Sequence, residues 1–116
     1  NLNLFSIRLP LPALVSILHR LSGVLLFLLM PFLTLAFCNS ISSDLNFNKT
    51  ALILNTLPVK IIQLFFIWAL IHHLMAGLRH LLLDLQIGND LIVARFSSKT
   101  VLLISFLLTA ILVYWV

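Results

Sequence analysis

Three long apolar runs decide most of what this chain can be: Ala13 to about Asn39, Val59 to about Leu85, and Thr100 to Val116. Crossing the hydrocarbon of a bilayer takes about 20 helical residues. The first two runs are long enough. The third stops a little short, so either Ser98 and Lys99 lie at its mouth or the natural chain continues past Val116. Because the runs are long and not cut into strand-length pieces by polar turns, helices are the spanning elements. With 62% of its 116 residues hydrophobic and 9% charged, the chain lacks the polar surface to cover a water-soluble globule.

The punctuation between the runs agrees. Pro10 and Pro12 precede the first run, where a missing amide donor does no harm and a fixed φ suits a helix entrance. Asn39-Ser40-Ile41-Ser42-Ser43-Asp44 is polar and turn-prone, and Thr56-Leu57-Pro58 repeats the entry signal, so an interhelical loop is expected between runs one and two. Gln86-Ile87-Gly88-Asn89-Asp90 ends the second helix, with Gly88 available for a left-handed cap, and leads through a second loop to Arg95 and Lys99. No repeat, soluble domain or low-complexity tail is visible. The expected fold is an all-α membrane protein: one domain over residues 1–116, with transmembrane helices at about 12–39, 58–86 and 98–116 in an up-down-up bundle.

A formal charge of +4 suggests a nucleic-acid partner only until the seven Lys and Arg residues are located, for they stand singly near the ends of the apolar runs. That pattern sets membrane orientation. Arg8, Arg20, Arg79, Arg95 and Lys99 belong to the N-terminal side, and only Lys49 and Lys60 to the other. The N-terminus is therefore expected on the cytoplasmic or matrix side, which puts Tyr114 and Trp115 at the far interface. Cys38, the single cysteine, reads as a small apolar filler. The triplet Asn48-Lys49-Thr50 matches a glycosylation site but carries no weight here. The chain opens on Asn1 with no cleavable signal visible, and a few residues or a processed leader are expected before it.

Titratable groups within a bilayer cost about 2.5–3.5 kcal/mol each at a helix centre, so those present need a reason. Two clusters stand out: Ser16-Ile17-Leu18-His19-Arg20 in the first helix, and His72-His73 with Arg79, His80 and Asp84 in the second. His73, Gly77, His80 and Asp84 are four, three and four residues apart and share one helix face, whereas His72 points about 100° away. A histidine deep in an apolar helix, with a glycine one turn on against which a flat group can lie, suits axial haem ligation, and His73 is the candidate. One ring nitrogen then binds iron while the other donates to a carbonyl or side chain. In antiparallel neighbouring helices His19, Arg20, Arg79 and His80 fall near the inner face, with His73 closer to mid-membrane. Haem propionates reaching back would meet His19, Arg20 and His80. Ser16, one turn before Arg20, adds a hydroxyl that can converge with the guanidinium on a quinone head group.

Other readings of the same residues stay open. The histidines can hydrogen-bond neighbouring helices without a cofactor; Arg20 can snorkel as a topology anchor; Asp84 can pair with Arg79; Ser22 and Gly23 can serve helix packing. A cofactor-free proton-coupled transporter would use His73, His80 and Asp84 as a relay.

The motifs Ser16-Ile17-Leu18-His19-Arg20-Leu21-Ser22-Gly23 and His73-Leu74-Met75-Ala76-Gly77-Leu78-Arg79-His80, followed by Asp84, resemble the cytochrome b subunit of succinate dehydrogenase. The likeness extends over Asn1 to Pro12, with its Asn-Leu-x-Leu and Ile-Arg-x-Pro segments, and over the three-helix layout. The third helix matches only in hydrophobicity, and the Arg-Pro pair that usually opens the family is absent. The resemblance implies a hetero-oligomeric membrane anchor in a four-subunit complex: a flavoprotein oxidises succinate, an iron-sulfur protein passes electrons to ubiquinone, and a second small anchor subunit shares haem b with this chain. It implies that Ser16 and Arg20 contact the quinone, that His73 is one axial haem ligand with the other supplied by the second anchor, and that His19, Arg20 and His80 lie near the propionates. Asp84 is a possible proton path, and Arg79 a helix-end or propionate contact. A bacterial inner membrane is the expected location, with the mitochondrial inner membrane as the alternative. A fumarate reductase or menaquinone-linked complex would use the same fold.

Overall fold

The computed structural model describes residues 8–115. The Asn-Leu-x-Leu segment, Ile7 and the terminal Val116 lie outside them. Four helices follow in order: α1 Leu11–Ser40, α2 Asp44–Leu54, α3 Leu57–Asp84 and α4 Leu91–Trp115. Three of these, α1, α3 and α4, are long and apolar enough to cross a membrane, which makes this an all-α multi-pass membrane protein.

The entrances are as read from the prolines. Pro10 is the N-cap of α1, and its carbonyl accepts from the Leu14 amide at 3.0 Å. Thr56 caps α3, which carries Pro58 in its first turn. Pro31 lies inside α1, where it lacks the amide that would bond the Phe27 carbonyl, and the helix nevertheless continues to Ser40.

Three features differ from the sequence expectation. The loop between runs one and two contains an 11-residue helix, α2, started by Ser43, whose hydroxyl accepts from the Asn46 amide at 3.1 Å, with Asp44 in the first turn. Its buried Thr50 accepts from the Asn39 side chain at 2.9 Å, and Gln63 of α3 donates to the Leu54 carbonyl at 2.9 Å, tying the C-terminal half of α2 to α1 and α3. The last span begins at Leu91, not near residue 98, so Arg95 and Lys99 are exposed residues on the first turns of α4. Long cationic side chains can reach water from there without breaking the helix.

The end of α3 is the third difference. Gln86, at φ 59°, takes the left-handed position directly after the cap residue Leu85. Its amide bonds the Leu83 carbonyl and that of Ile87 bonds the Leu82 carbonyl, both at 2.9 Å, which closes a Schellman motif. Gly88, at φ 77°, makes the next turn toward α4.

Contacts across the bundle establish the direction of the helices. Gly23 and Ser22 meet His73 while His19 meets Gly77, so α3 runs antiparallel to α1. Arg79 reaches Ser97 while His72 reaches Ser105, so α4 runs antiparallel to α3. Up-down-up is the result. Small residues line the contacts: Val15, Ala69, Ala76, Ser22, Ser98 and Ser105 are all buried, as expected where close backbone approach and dispersion, not water exclusion, hold helices together. Most large apolar side chains point outward, among them Phe27, Phe32, Phe65 and Phe106. Lipid or other subunits must cover them.

Candidate functional site

The α1–α3 contact brings three histidines together. His19 and His73 stack with ring centroids 4.3 Å apart and planes 9° from parallel, and His80 lies against His19 at 5.0 Å with a 60° tilt. Two glycines face the stack, and Gly23 is the one that makes room. A Cβ on Gly23 would stand 3.0 Å from His73 Cε1 and 3.4 Å from Nδ1, and one on Gly77 would stand 3.4 Å from His19 Nε2.

The tautomer of His73 follows from its partners. Its Nδ1 is 3.2 Å from the His19 carbonyl oxygen, which can only accept. Nδ1 is therefore the donor, and in the neutral ring Nε2 carries the lone pair. The Ser22 hydroxyl donates to the same His19 carbonyl at 2.8 Å, and its oxygen lies 3.3 Å from His73 Nδ1. Ser22 and Gly23 thus do more than pack helices: they are contacts of His73, a role to which residue spacing gave no clue.

Around this core the other polar groups at the same end of the bundle spread out. Arg20 is exposed on α1 and Ser16, one turn earlier, is half-buried. Arg20, Arg79 and Asp84 all lie within electrostatic reach of His80. Asp84 is the exposed last residue of α3. Arg79 departs from both sequence readings, propionate contact and pairing with Asp84: it is buried, and its guanidinium turns to α4, where Nε donates to the Ser97 hydroxyl at 3.0 Å and an Nη to the Ala94 carbonyl at 3.3 Å.

His72 faces the opposite way, as its 100° offset requires. It is fully buried, stacks on Trp68 at 5.0 Å, and places Nδ1 3.4 Å from the Ser105 hydroxyl. That hydroxyl donates to the Val101 carbonyl at 2.6 Å, so it accepts from His72. Among the described residues His72 Nε2 has no hydrogen-bond partner. Sequence reasoning separated the two adjacent histidines by direction but had no means of seeing that His72 fills the centre of the α1–α3–α4 packing.

Among the described residues no group of three or more His, Cys, Asp or Glu side chains forms a self-sufficient metal site. A metal held here needs ligands from outside this chain, or a macrocycle. The residues fit haem on two observations of the chain's own geometry: His73 offers an Nε2 lone pair in a set tautomer, and Gly77 presents a backbone with no Cβ. The His19 ring lies over that glycine, so a planar ligand there would have to take its place.

Comparison with known proteins agrees with the motifs. Residues 1–112 match the family described as succinate dehydrogenase/fumarate reductase transmembrane subunit. The chain is 32% identical over 117 residues to the succinate dehydrogenase cytochrome b556 subunit of Coxiella burnetii (strain RSA 493 / Nine Mile phase I), covering 100% of this chain and 94% of that protein. It is 33% identical over 102 residues to the subunit of the same name from Rickettsia bellii (strain RML369-C), covering 88% of this chain and 78% of that one. The chain thus belongs to the family of succinate dehydrogenase cytochrome b transmembrane subunits.

Proposed function

We propose that this chain is the cytochrome b anchor of a succinate:ubiquinone oxidoreductase, holding haem b through His73 and contributing Ser16 and Arg20 to the site where ubiquinone is reduced. The observation that carries the reading is the hydrogen bond from His73 Nδ1 to the His19 carbonyl, which leaves Nε2 as a preset iron donor within an apolar helix pair. Family membership supports it independently.

Haem b, when bound between two histidines, supplies a one-electron reservoir with no open position for oxygen. The chain's own residues do the rest. His73 would hold the iron through one imidazole nitrogen, and a histidine of a second small anchor subunit would supply the other ligand. His19, Arg20 and His80 would meet the propionates, their donors and charge offsetting anionic groups drawn into a low-dielectric region. Reduction of a quinone takes two electrons and two protons, and negative charge develops on the ring oxygens on the way. Arg20 and the Ser16 hydroxyl stabilise that charge. Asp84, exposed at the inner end of α3, is suited to passing protons from water toward His80.

Succinate oxidation itself belongs to a flavoprotein subunit, and electrons arrive through an iron-sulfur subunit. This chain is the non-succinate-oxidising part. The three apolar spans make the chain multi-pass, and the distribution of cations supports an N-terminus on the cytoplasmic or matrix side of an inner membrane, a bacterial one by preference. The test is a reduced-minus-oxidised visible spectrum of the purified complex. A b-type signal present in the wild type and lost in His73→Ala is the expected result; a wild-type complex with no such signal overturns the reading.

A further inference from the structure

We infer that Ser22 is a positioning residue for the haem, setting through His73 how much electron density the axial imidazole gives the iron; this rests on the haem reading above. The argument is one of hydrogen-bond direction. A serine hydroxyl has one proton, and that of Ser22 is committed to the His19 carbonyl at 2.8 Å, the shorter of its two contacts. Toward His73 Nδ1, at 3.3 Å, the oxygen can therefore only accept. Nδ1–H is shared between two acceptors, Ser22 Oγ and the His19 carbonyl at 3.2 Å.

Two consequences follow. A ring that could rotate about a single bond is fixed at two points, both on the same turn of α1. And each acceptor draws the Nδ1 proton outward, which enriches the opposite nitrogen. A richer axial donor stabilises the ferric over the ferrous state and lowers the reduction potential. Water cannot stand in for the hydroxyl, because Ser22 is 1% exposed. The adjacent Gly23 completes the arrangement by letting the imidazole come this close to the α1 backbone.

The experiment is potentiometric titration of the b-type absorbance, with low-spin electron paramagnetic resonance, on the intact complex carrying wild-type, Ser22→Ala or Ser22→Thr chains. Ser22→Ala is expected to load haem, to titrate at a higher midpoint potential than wild type and to shift the low-spin g-values; Ser22→Thr, which keeps the acceptor, moves both back toward wild type. If Ser22→Ala loads poorly, recovery of loading in Ser22→Thr supports the assignment and equal loss in both overturns it, since packing alone would then explain the effect. A loaded Ser22→Ala complex with the wild-type potential and g-values overturns the Ser22 assignment and leaves His73 ligation standing. A wild-type complex without b-type absorbance removes the haem reading itself and this inference with it.

Discussion

Gly23→Ala puts the histidine cluster under the most direct strain. On an exposed helix the change would be favourable by about 1 kcal/mol, because alanine has the higher helix propensity. Here the new methyl carbon would stand 3.0 Å from His73 Cε1 and 3.4 Å from Nδ1. That is closer than the about 3.5–4.0 Å at which carbon atoms settle, so the imidazole must give by a few tenths of an ångström. It has little freedom to do so. Nδ1 is held at 3.2 Å by the His19 carbonyl and lies 3.3 Å from Ser22 Oγ. Overpacking of this kind costs about 1–3 kcal/mol. Net of the propensity gain, roughly 0–2 kcal/mol falls on the α1–α3 contact and on His73, up to a factor of about 30 in haem affinity at 1.4 kcal/mol per decade. The assay is haem content per mole of assembled complex, from the pyridine haemochrome, together with the temperature at which the b-type absorbance is lost. Gly23→Ala should carry less haem or lose it at lower temperature. Full loading with an unchanged or higher loss temperature would refute the claim that Gly23 makes room for His73.

Other expectations follow from the same packing. Gly77→Ala meets only His19 Nε2 at an ordinary 3.4 Å, so assembly yield should hold while haem content falls; wild-type haem content would show that no planar group lies against Gly77. His72→Leu removes, at similar volume, a buried imidazole whose Nε2 has no partner among the described residues, and an unsatisfied buried polar atom costs about 1–3 kcal/mol. Thermal stability should therefore stay within about 1 kcal/mol of wild type or rise, with the b-type spectrum intact, whereas His73→Ala loses the spectrum; the opposite pattern would exchange the roles of the two histidines. Gln86→Gly relieves a left-handed residue at the end of α3 and should stabilise by about 1 kcal/mol, read as a rise in the melting temperature of the solubilised complex; no rise would mean that Gln86 carries little strain.

The helical, membrane-spanning nature of the chain was legible from the three apolar runs alone, because a bilayer leaves few ways to satisfy a backbone. The candidate residues were legible for a related reason: His19, Arg20, His73 and His80 are conspicuous in helices with little else to titrate. The 3.6-residue repeat also separated His72 from His73 without coordinates. Less legible was whatever depends on a short polar segment or a partner helix. Helix α2 is short, with its first half broken up by polar residues, and it relies on the Ser43 cap and on ties to Asn39 and Gln63. The start of α4 was hidden because Arg95, Ser97, Ser98 and Lys99 interrupt the apolar run without interrupting the helix. Gly88 drew attention as the left-handed residue after α3, yet the Schellman geometry fell on Gln86, two positions earlier.

Sequence periodicity assigns each residue to a face of its own helix, and that was enough to put His73, Gly77 and His80 on one side. It carries no information about what another helix brings to that side. The donation from His73 Nδ1 to the His19 carbonyl, the acceptor role of Ser22, the fit of Gly23 beneath the imidazole and the turn of Arg79 toward Ser97 were decided by the register between helices. That register is a property of interdigitating side chains from two segments about fifty residues apart at α1–α3 and about twenty apart at the Arg79 contact, so only their packing determines it.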